Sequence, residues 1–324
     1  MKKKLLVITT GGTIAMKYDD EFGVIQNDEL TAYLGNFPQI RDIAQIEVYE
    51  FTNIPSPYIT PETMFKLARL VEDKILEYDG IIITHGTDTL EETAYFLELV
   101  VTTHKPVVFT AAMRSESELG LDGPRNIVGA VRVACSNDPR NGGVMVVMND
   151  EINSAREVVK TDTGKTNSFV SLAYGPLGII EPDKVIFYRD SIIQEKIPTD
   201  KIETNIDLIK CVSGMDDRYL QCSLYHGAKA IVLEAFGRGN VPPNLLPAIT
   251  TAIERDVIVV IVSRTYTGRV LPEYGYEGGG KSLKKMGAIL GGDLRGQKMR
   301  IKLMVLFGRY KDSSLVRKYL LNGN

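Results

Sequence analysis

The chain has 324 residues, 44% hydrophobic and 24% charged, with a formal net charge of −3. That length supports one large and one smaller domain, each with its own core, and the charge gives no footprint for nucleic acid or an anionic membrane surface. No segment approaches the roughly 18 apolar residues that cross a bilayer, and the three cysteines (Cys135, Cys211, Cys222) argue against a disulfide framework.

The basic start, Met1-Lys2-Lys3-Lys4, leads into a four-residue apolar run that is too short for a secretion signal. A cytoplasmic protein with reduced thiols is expected. The first half then alternates apolar runs with amphipathic stretches. Strands are predicted at 4–9, 46–51, 80–84, 106–111 and 143–148, and helices at 27–34, 61–77, 89–103 and 124–136. The helix from 61 has a clear start, with Thr60 as N-cap and Pro61 at the first helical position. Such alternation implies βαβ units and a parallel sheet covered on both faces. The rhythm is lost from 181 to 210, a run read as the connection between domains. It resumes with strands near 208–212, 229–235 and 256–262 and helices near 216–225, 243–254 and 281–289. The expected architecture is α/β, with two doubly wound domains at 1–190 and 211–324 joined by 191–210.

Two strand ends carry chemistry. Lys4 to Ile8 runs into Thr9-Thr10-Gly11-Gly12-Thr13, and Ile81 to Ile83 stops at Thr84-His85-Gly86-Thr87-Asp88-Thr89. Polar residues at the carboxyl edge of a buried strand are where open α/β sheets bind ligands. Threonines beside glycines, with one carboxylate, suggest hydroxyl-nucleophile chemistry. Structural uses compete for the same residues, because Asp88 or Thr89 can cap the helix beginning at Leu90. His85 has no Asp or Ser partner at motif spacing and no second metal-ligating residue near it, so it reads as structural. Gly275 to Ser282 matches the P-loop pattern literally but follows a loop instead of a buried strand. A glycine-rich cap on the helix from 281 is the preferred reading there.

Taken together, Thr-Gly-Gly-Thr-Ile-Ala at 10–15 and Thr-His-Gly-Thr-Asp-Thr-x-Glu-Glu-Thr-Ala-Tyr-Phe-Leu at 84–97 resemble the bacterial-type L-asparaginase/glutaminase family of threonine amidohydrolases. Ala112-Met113-Arg114, Asp122-Gly123-Pro124, Val146 to Asp150 and Val159-Lys160-Thr161 extend the likeness, which runs over essentially the whole chain. The resemblance implies hydrolysis of L-asparagine to L-aspartate and ammonia without cofactor or metal, and a homo-oligomer, dimer or tetramer. It casts Thr13 as the nucleophile that forms an acyl-enzyme, with Thr87, Asp88 and Lys160 as the accompanying catalytic group. Gly12, Ser56, Thr87 and Asp88 would hold the substrate. A Thr hydroxyl needs an acceptor for its proton, and a Lys can serve only if its pKa is depressed.

Some positions depart from the family pattern. Pro57 follows Ser56 where a polar residue is common, removes an N–H and predicts an extended backbone at Ser56. The family's flexible-loop tyrosine falls on Val24 in a local alignment, leaving Tyr18 as its substitute. Asn240 or Arg238 is a candidate to reach a neighbouring subunit's site, and Glu277 is a further candidate. Two other functions compete. An ammonia-supplying amidase of a tRNA-dependent amidotransferase is expected to carry an extra N-terminal domain, for which the thirteen residues up to Thr13 leave no room. A nucleotide-binding module would use the 275–282 loop.

Overall fold

The computed structural model describes residues 2–19, 23–26, 38–138, 140–191 and 193–322. The helix expected at 27–34 lies outside the described residues. Two compact units divide the chain, Met1–Lys196 and Ile197–Asn324.

In the first unit the strands are β1 (Lys3–Thr9), β2 (Met16–Asp19), β3 (Gly23–Gln26), β4 (Ala44–Glu50), β5 (Gly80–Thr84), β6 (Pro106–Thr110), β7 (Gly143–Met148), β8 (Glu151–Ser154), β9 (Val159–Lys160), β10 (Phe169–Val170), β11 (Gly178–Ile180) and β12 (Val185–Phe187). Eight of them make one sheet in the order β12-β11-β8-β7-β6-β5-β1-β4. Pairings from β4 through β1, β5 and β6 to β7 are parallel, as the alternating pattern predicts. Beyond β7 the sheet turns antiparallel. The reversal is made at Asn149 and Asp150, whose φ angles of 51° and 62° fit the two-residue turn that matches strand twist. The helices Pro61–Lys74, Leu90–Val100 and Gly123–Cys135 fill the crossovers. Thr60 caps the first of them, its hydroxyl accepting from the Thr63 N–H at 3.3 Å.

The parallel part follows the order β4-β1-β5-β6-β7, so the chain moves to one side of β1 and then crosses to the other. Between β1 and β5 the connections diverge, and such a switch point opens a crevice beyond the strands' carboxyl ends. Thr9 and Thr84 stand opposite each other in the register at that point. Both motifs therefore leave the sheet side by side.

The second unit is a four-stranded parallel sheet of β13 (Ile206–Lys210), β14 (Ala230–Ala235), β15 (Ile258–Ser263) and β16 (Ile289–Leu290). Its core packs Leu233, Val259 and Ile261 against helices Arg218–Tyr225 and Leu246–Glu254 through Leu220, Ile249 and Ala252. The expected connection at 191–210 differs from what is observed. Residues 206–210 form β13 in the second unit, and Val185–Phe187, read as part of the irregular run, is an edge strand of the first sheet. The long helix Gly296–Tyr310 and the terminal helix Ser313–Asn322 had no counterpart in the sequence pattern. Among the described residues no helix is long and apolar enough to cross a membrane.

Candidate active site

At the β1/β5 edge the backbones approach so closely that only glycine fits. Gly12 has φ of 84°, and a Cβ on it would stand 2.2 Å from Gly86 Cα. A Cβ on Gly86 would in turn stand 2.6 Å from the Cβ of Ser56. Hence the residues just before Thr13 and Thr87 touch each other, and Ser56 packs on the second of them. Thr13 opens a short 3-10 turn, Thr13–Ala15, and is half-buried. Threonine hydroxyls bind the edge laterally: Thr52 donates to Thr10 O at 2.9 Å, and Thr10 donates to Thr84 O at 3.0 Å.

Lys160 completes the cluster from far along the chain. It lies in the two-residue β9, opposite Phe169 of β10, in a hairpin closed by Thr161 N–H donating to Ser168 O at 2.7 Å. Its Nζ donates to Thr87 Oγ1 at 2.9 Å and to Asp88 Oδ1 at 2.8 Å. The lysine side chain is 18% exposed and the aspartate 58%. An ammonium has three donors, so this one is shared between a hydroxyl and a carboxylate with one position left over.

Ser56 is buried, and its Oγ accepts the Asp88 N–H at 3.1 Å. Accepting that bond leaves the hydroxyl hydrogen available to donate. The extended conformation expected at Ser56 is not adopted. A 3-10 turn spans Ser56–Tyr58, with Tyr58 N–H donating to Pro55 O at 3.0 Å and Ile59 N–H to Ser56 O at 3.1 Å. Pro57 occupies an early position of that turn, where its missing N–H is not required, and the two bonds outweigh the preference set by a following proline.

His85 is fully buried, its Nδ1 2.8 Å from Gly86 O and its ring centroid 6.0 Å from that of Phe109. A carbonyl oxygen only accepts, so Nδ1 carries the hydrogen. Burial pushes the imidazole pKa down to about 4. A neutral ring bonded to the loop's own backbone agrees with the structural reading of this residue.

Two family models match the chain. One, asparaginase N-terminal, covers residues 4–193, and the other, glutaminase/asparaginase C-terminal domain, covers 205–320. The chain belongs to the asparaginase family. An L-asparaginase of Bacillus licheniformis is 38% identical, covering 96% of this chain and 98% of the relative. A glutaminase-asparaginase of Acinetobacter glutaminasificans is 34% identical, over 99% of this chain and all of the relative (100%). Among solved structures, a probable cytoplasmic L-asparaginase from Campylobacter jejuni superposes with a TM-score of 0.89 at 33% identity, covering 99% of each chain.

The remaining candidates of this asparaginase-family chain belong to other segments. Tyr18 sits in β2 directly opposite Val24 of β3, so both alternatives for the loop tyrosine fall on one hairpin register. Asn240 and Glu277 belong to the second unit. There Asn240 Oδ1 accepts the Gly280 N–H at 3.4 Å, Glu277 is exposed, and Arg238 pairs with Glu273 at 3.1 Å. The glycines of the 275–282 loop are packed on carbonyls. Cβ atoms at Gly278, Gly279 and Gly280 would meet Val241 O at 2.4 Å, Tyr274 O at 2.4 Å and Leu271 O at 2.6 Å. Close packing explains the glycine run without a phosphate. One contact has no signal in the sequence: Thr89 Oγ1 donates to Ser56 O at 2.9 Å. At the N-cap position Thr89 gave only a capping signal in the sequence.

Proposed function

We propose that the chain hydrolyses the side-chain amide of L-asparagine to L-aspartate and ammonia through an ester on Thr13. The observation that carries this reading is the convergence of Lys160 Nζ on Thr87 and Asp88 beside the Gly12–Gly86 contact. In this scheme the Thr13 hydroxyl attacks the amide carbon, and its proton passes through the Thr87–Lys160 group to the departing nitrogen as ammonia. Water then cleaves the ester, regenerating the hydroxyl and releasing the carboxylic acid. Ser56 Oγ, with its hydrogen free, donates to the substrate's α-carboxylate, and Asp88 faces its α-ammonium. Gly12 and Thr87 line the cleft between them. Tyr18, Asn240 and Glu277 remain candidates for contacts from outside this cluster. The proposal includes a cytoplasmic location, supported by the Campylobacter jejuni relative's being a probable cytoplasmic L-asparaginase, and a homo-oligomer, dimer or tetramer, supported by the family resemblance alone.

One observation favours a second assignment of roles. Lys160 bonds directly to Thr87, so Thr87 could be the attacking hydroxyl with Lys160 as its base. The residue that carries the ester separates the two.

Ammonia release from L-asparagine, L-glutamine and D-asparagine by the purified protein tests the function. L-Asparagine is expected to be the preferred substrate. A methylene discriminates by about 10–200-fold, and a reacting carbon displaced by about 1 Å costs about 10² more. Absence of ammonia from all three amides would overturn the proposal, and comparable kcat/KM for the two L-amides would overturn the selectivity.

A further inference from the structure

Two threonines stand at helix N-caps in the first unit and use their hydroxyls differently. Thr60 accepts from the Thr63 N–H and caps its own helix. Thr89 makes no side-chain cap bond to the helix Leu90–Val100, although it stands at the same position. Its hydroxyl points out of the helix and donates to Ser56 O at 2.9 Å. A neighbouring bond runs between the same two segments, from the Asp88 N–H to Ser56 Oγ at 3.1 Å. Thus the turn Ser56–Tyr58 is clamped to the start of the helix at both the backbone and the side chain of Ser56. The carbonyl of Ser56 is fully used, since it also accepts the Ile59 N–H that closes the 3-10 turn. Ser56 packs on Gly86, and a Cβ there would stand 2.7 Å from Ser56 Oγ.

We propose that Thr89 is a positioning residue that sets the spacing between Ser56 and Asp88, and so the register in which an amino-acid substrate is gripped. The inference rests on the asparagine-hydrolysing reading above, in which Ser56 meets the α-carboxylate and Asp88 the α-ammonium. Those two groups are one carbon apart in any α-amino acid, so their receptors must be held at one separation. The Asp88–Ser56 bond alone leaves the turn free to pivot about Oγ. A second bond at the Ser56 carbonyl removes that rotation. With the α-groups fixed, the side-chain amide can reach the reacting hydroxyl at only one chain length. Loosening the clamp therefore weakens substrate binding and relaxes the preference for the shorter amide.

Thr89→Val keeps the shape of the side chain and deletes the hydroxyl, while Thr89→Ser keeps the hydroxyl. Steady-state kinetics on L-asparagine and L-glutamine, with thermal melts of all three proteins, test the idea. Thr89→Val is expected to raise KM for L-asparagine by about three- to tenfold, the size of one neutral hydrogen bond. A smaller change in kcat and a lower asparagine-to-glutamine ratio should accompany it. Thr89→Ser should stay near wild type in both KM and ratio. A residue that merely capped its helix would lower the melting temperature and leave KM and the ratio alone. An unchanged KM and ratio in folded Thr89→Val, or equal impairment of the Ser and Val variants, would overturn the inference while the functional reading stands. A wild-type chain releasing no ammonia would overturn both.

Discussion

The corner around Gly12 and Gly86 and the loop around Gly278 to Gly280 are both dense in glycine, and both bring backbone against backbone. They differ in what arrives with the backbone. At the first corner, Ser56, Thr87, Asp88 and Lys160 come from three separate stretches of chain and bond to one another. At the second, the space beside each glycine is closed by a carbonyl oxygen, and Glu277 and Lys281 are exposed. Glycine therefore marks close approach in either place, and convergent polar side chains distinguish the proposed reacting centre from a packed loop. Position in the sheet reinforces the difference. The first corner lies at a switch point, whereas the second unit's strands run in simple chain order, β13-β14-β15-β16, without a reversal of that kind.

Substitutions at the two corners should separate sharply. Thr13→Ala is expected to lower kcat by roughly 10⁴–10⁶, with melting temperature preserved. Lys281→Ala should leave kcat/KM unaltered, and the same assay on both variants checks the contrast. Lys160→Met removes the group proposed to handle the proton and should reduce kcat by about 10²–10⁴, read by steady-state ammonia release. Asp88→Asn takes away one charge-assisted contact, worth about 1.5–3 kcal/mol, so kcat/KM should fall by about 10–10². Unchanged KM and kcat in Asp88→Asn would show that the α-ammonium sits elsewhere.

A smaller effect concerns stability. His85 has a folded pKa of about 4 against 6.5 for the free side chain, because burial disfavours its charged form. The unfolded chain thus binds a proton that the folded one refuses between those values. The contribution is fully present above about pH 6.5 and is lost as pH falls toward 4, up to about 3 kcal/mol. Denaturant unfolding of wild type and His85→Asn at pH 7 and pH 4.5 checks this. The variant should lose less stability on acidification, and equal losses would contradict it.

Much of the first corner was legible because it depends on local pattern. The β-branched run Ile81 to Ile83, bounded by Gly80 and polar turn residues, reads as a buried strand, and Thr60-Pro61 reads as a helix start. The clustering of Lys160 with Thr87 was not readable from spacing, since 73 residues separate them, and it came from family resemblance. The proline after Ser56 predicts an extended backbone by a local rule, and the turn's own bonds override it. The helix Gly296–Tyr310 is hidden in the sequence for another reason. It is buried nearly all round, so it carries no one-sided apolar stripe. Short strands such as β9, β11 and β12 are set by pairing partners and leave little periodicity of their own.

The identity of the attacking threonine is the most direct test of the whole account. Acid-quenching the enzyme during turnover of L-asparagine, followed by intact-mass and fragment-mass analysis, locates any covalent intermediate. An aspartyl ester on Thr13 is predicted, absent from Thr13→Ala. An ester on Thr87 instead would contradict the assignment of roles and make Thr87 the nucleophile activated by Lys160.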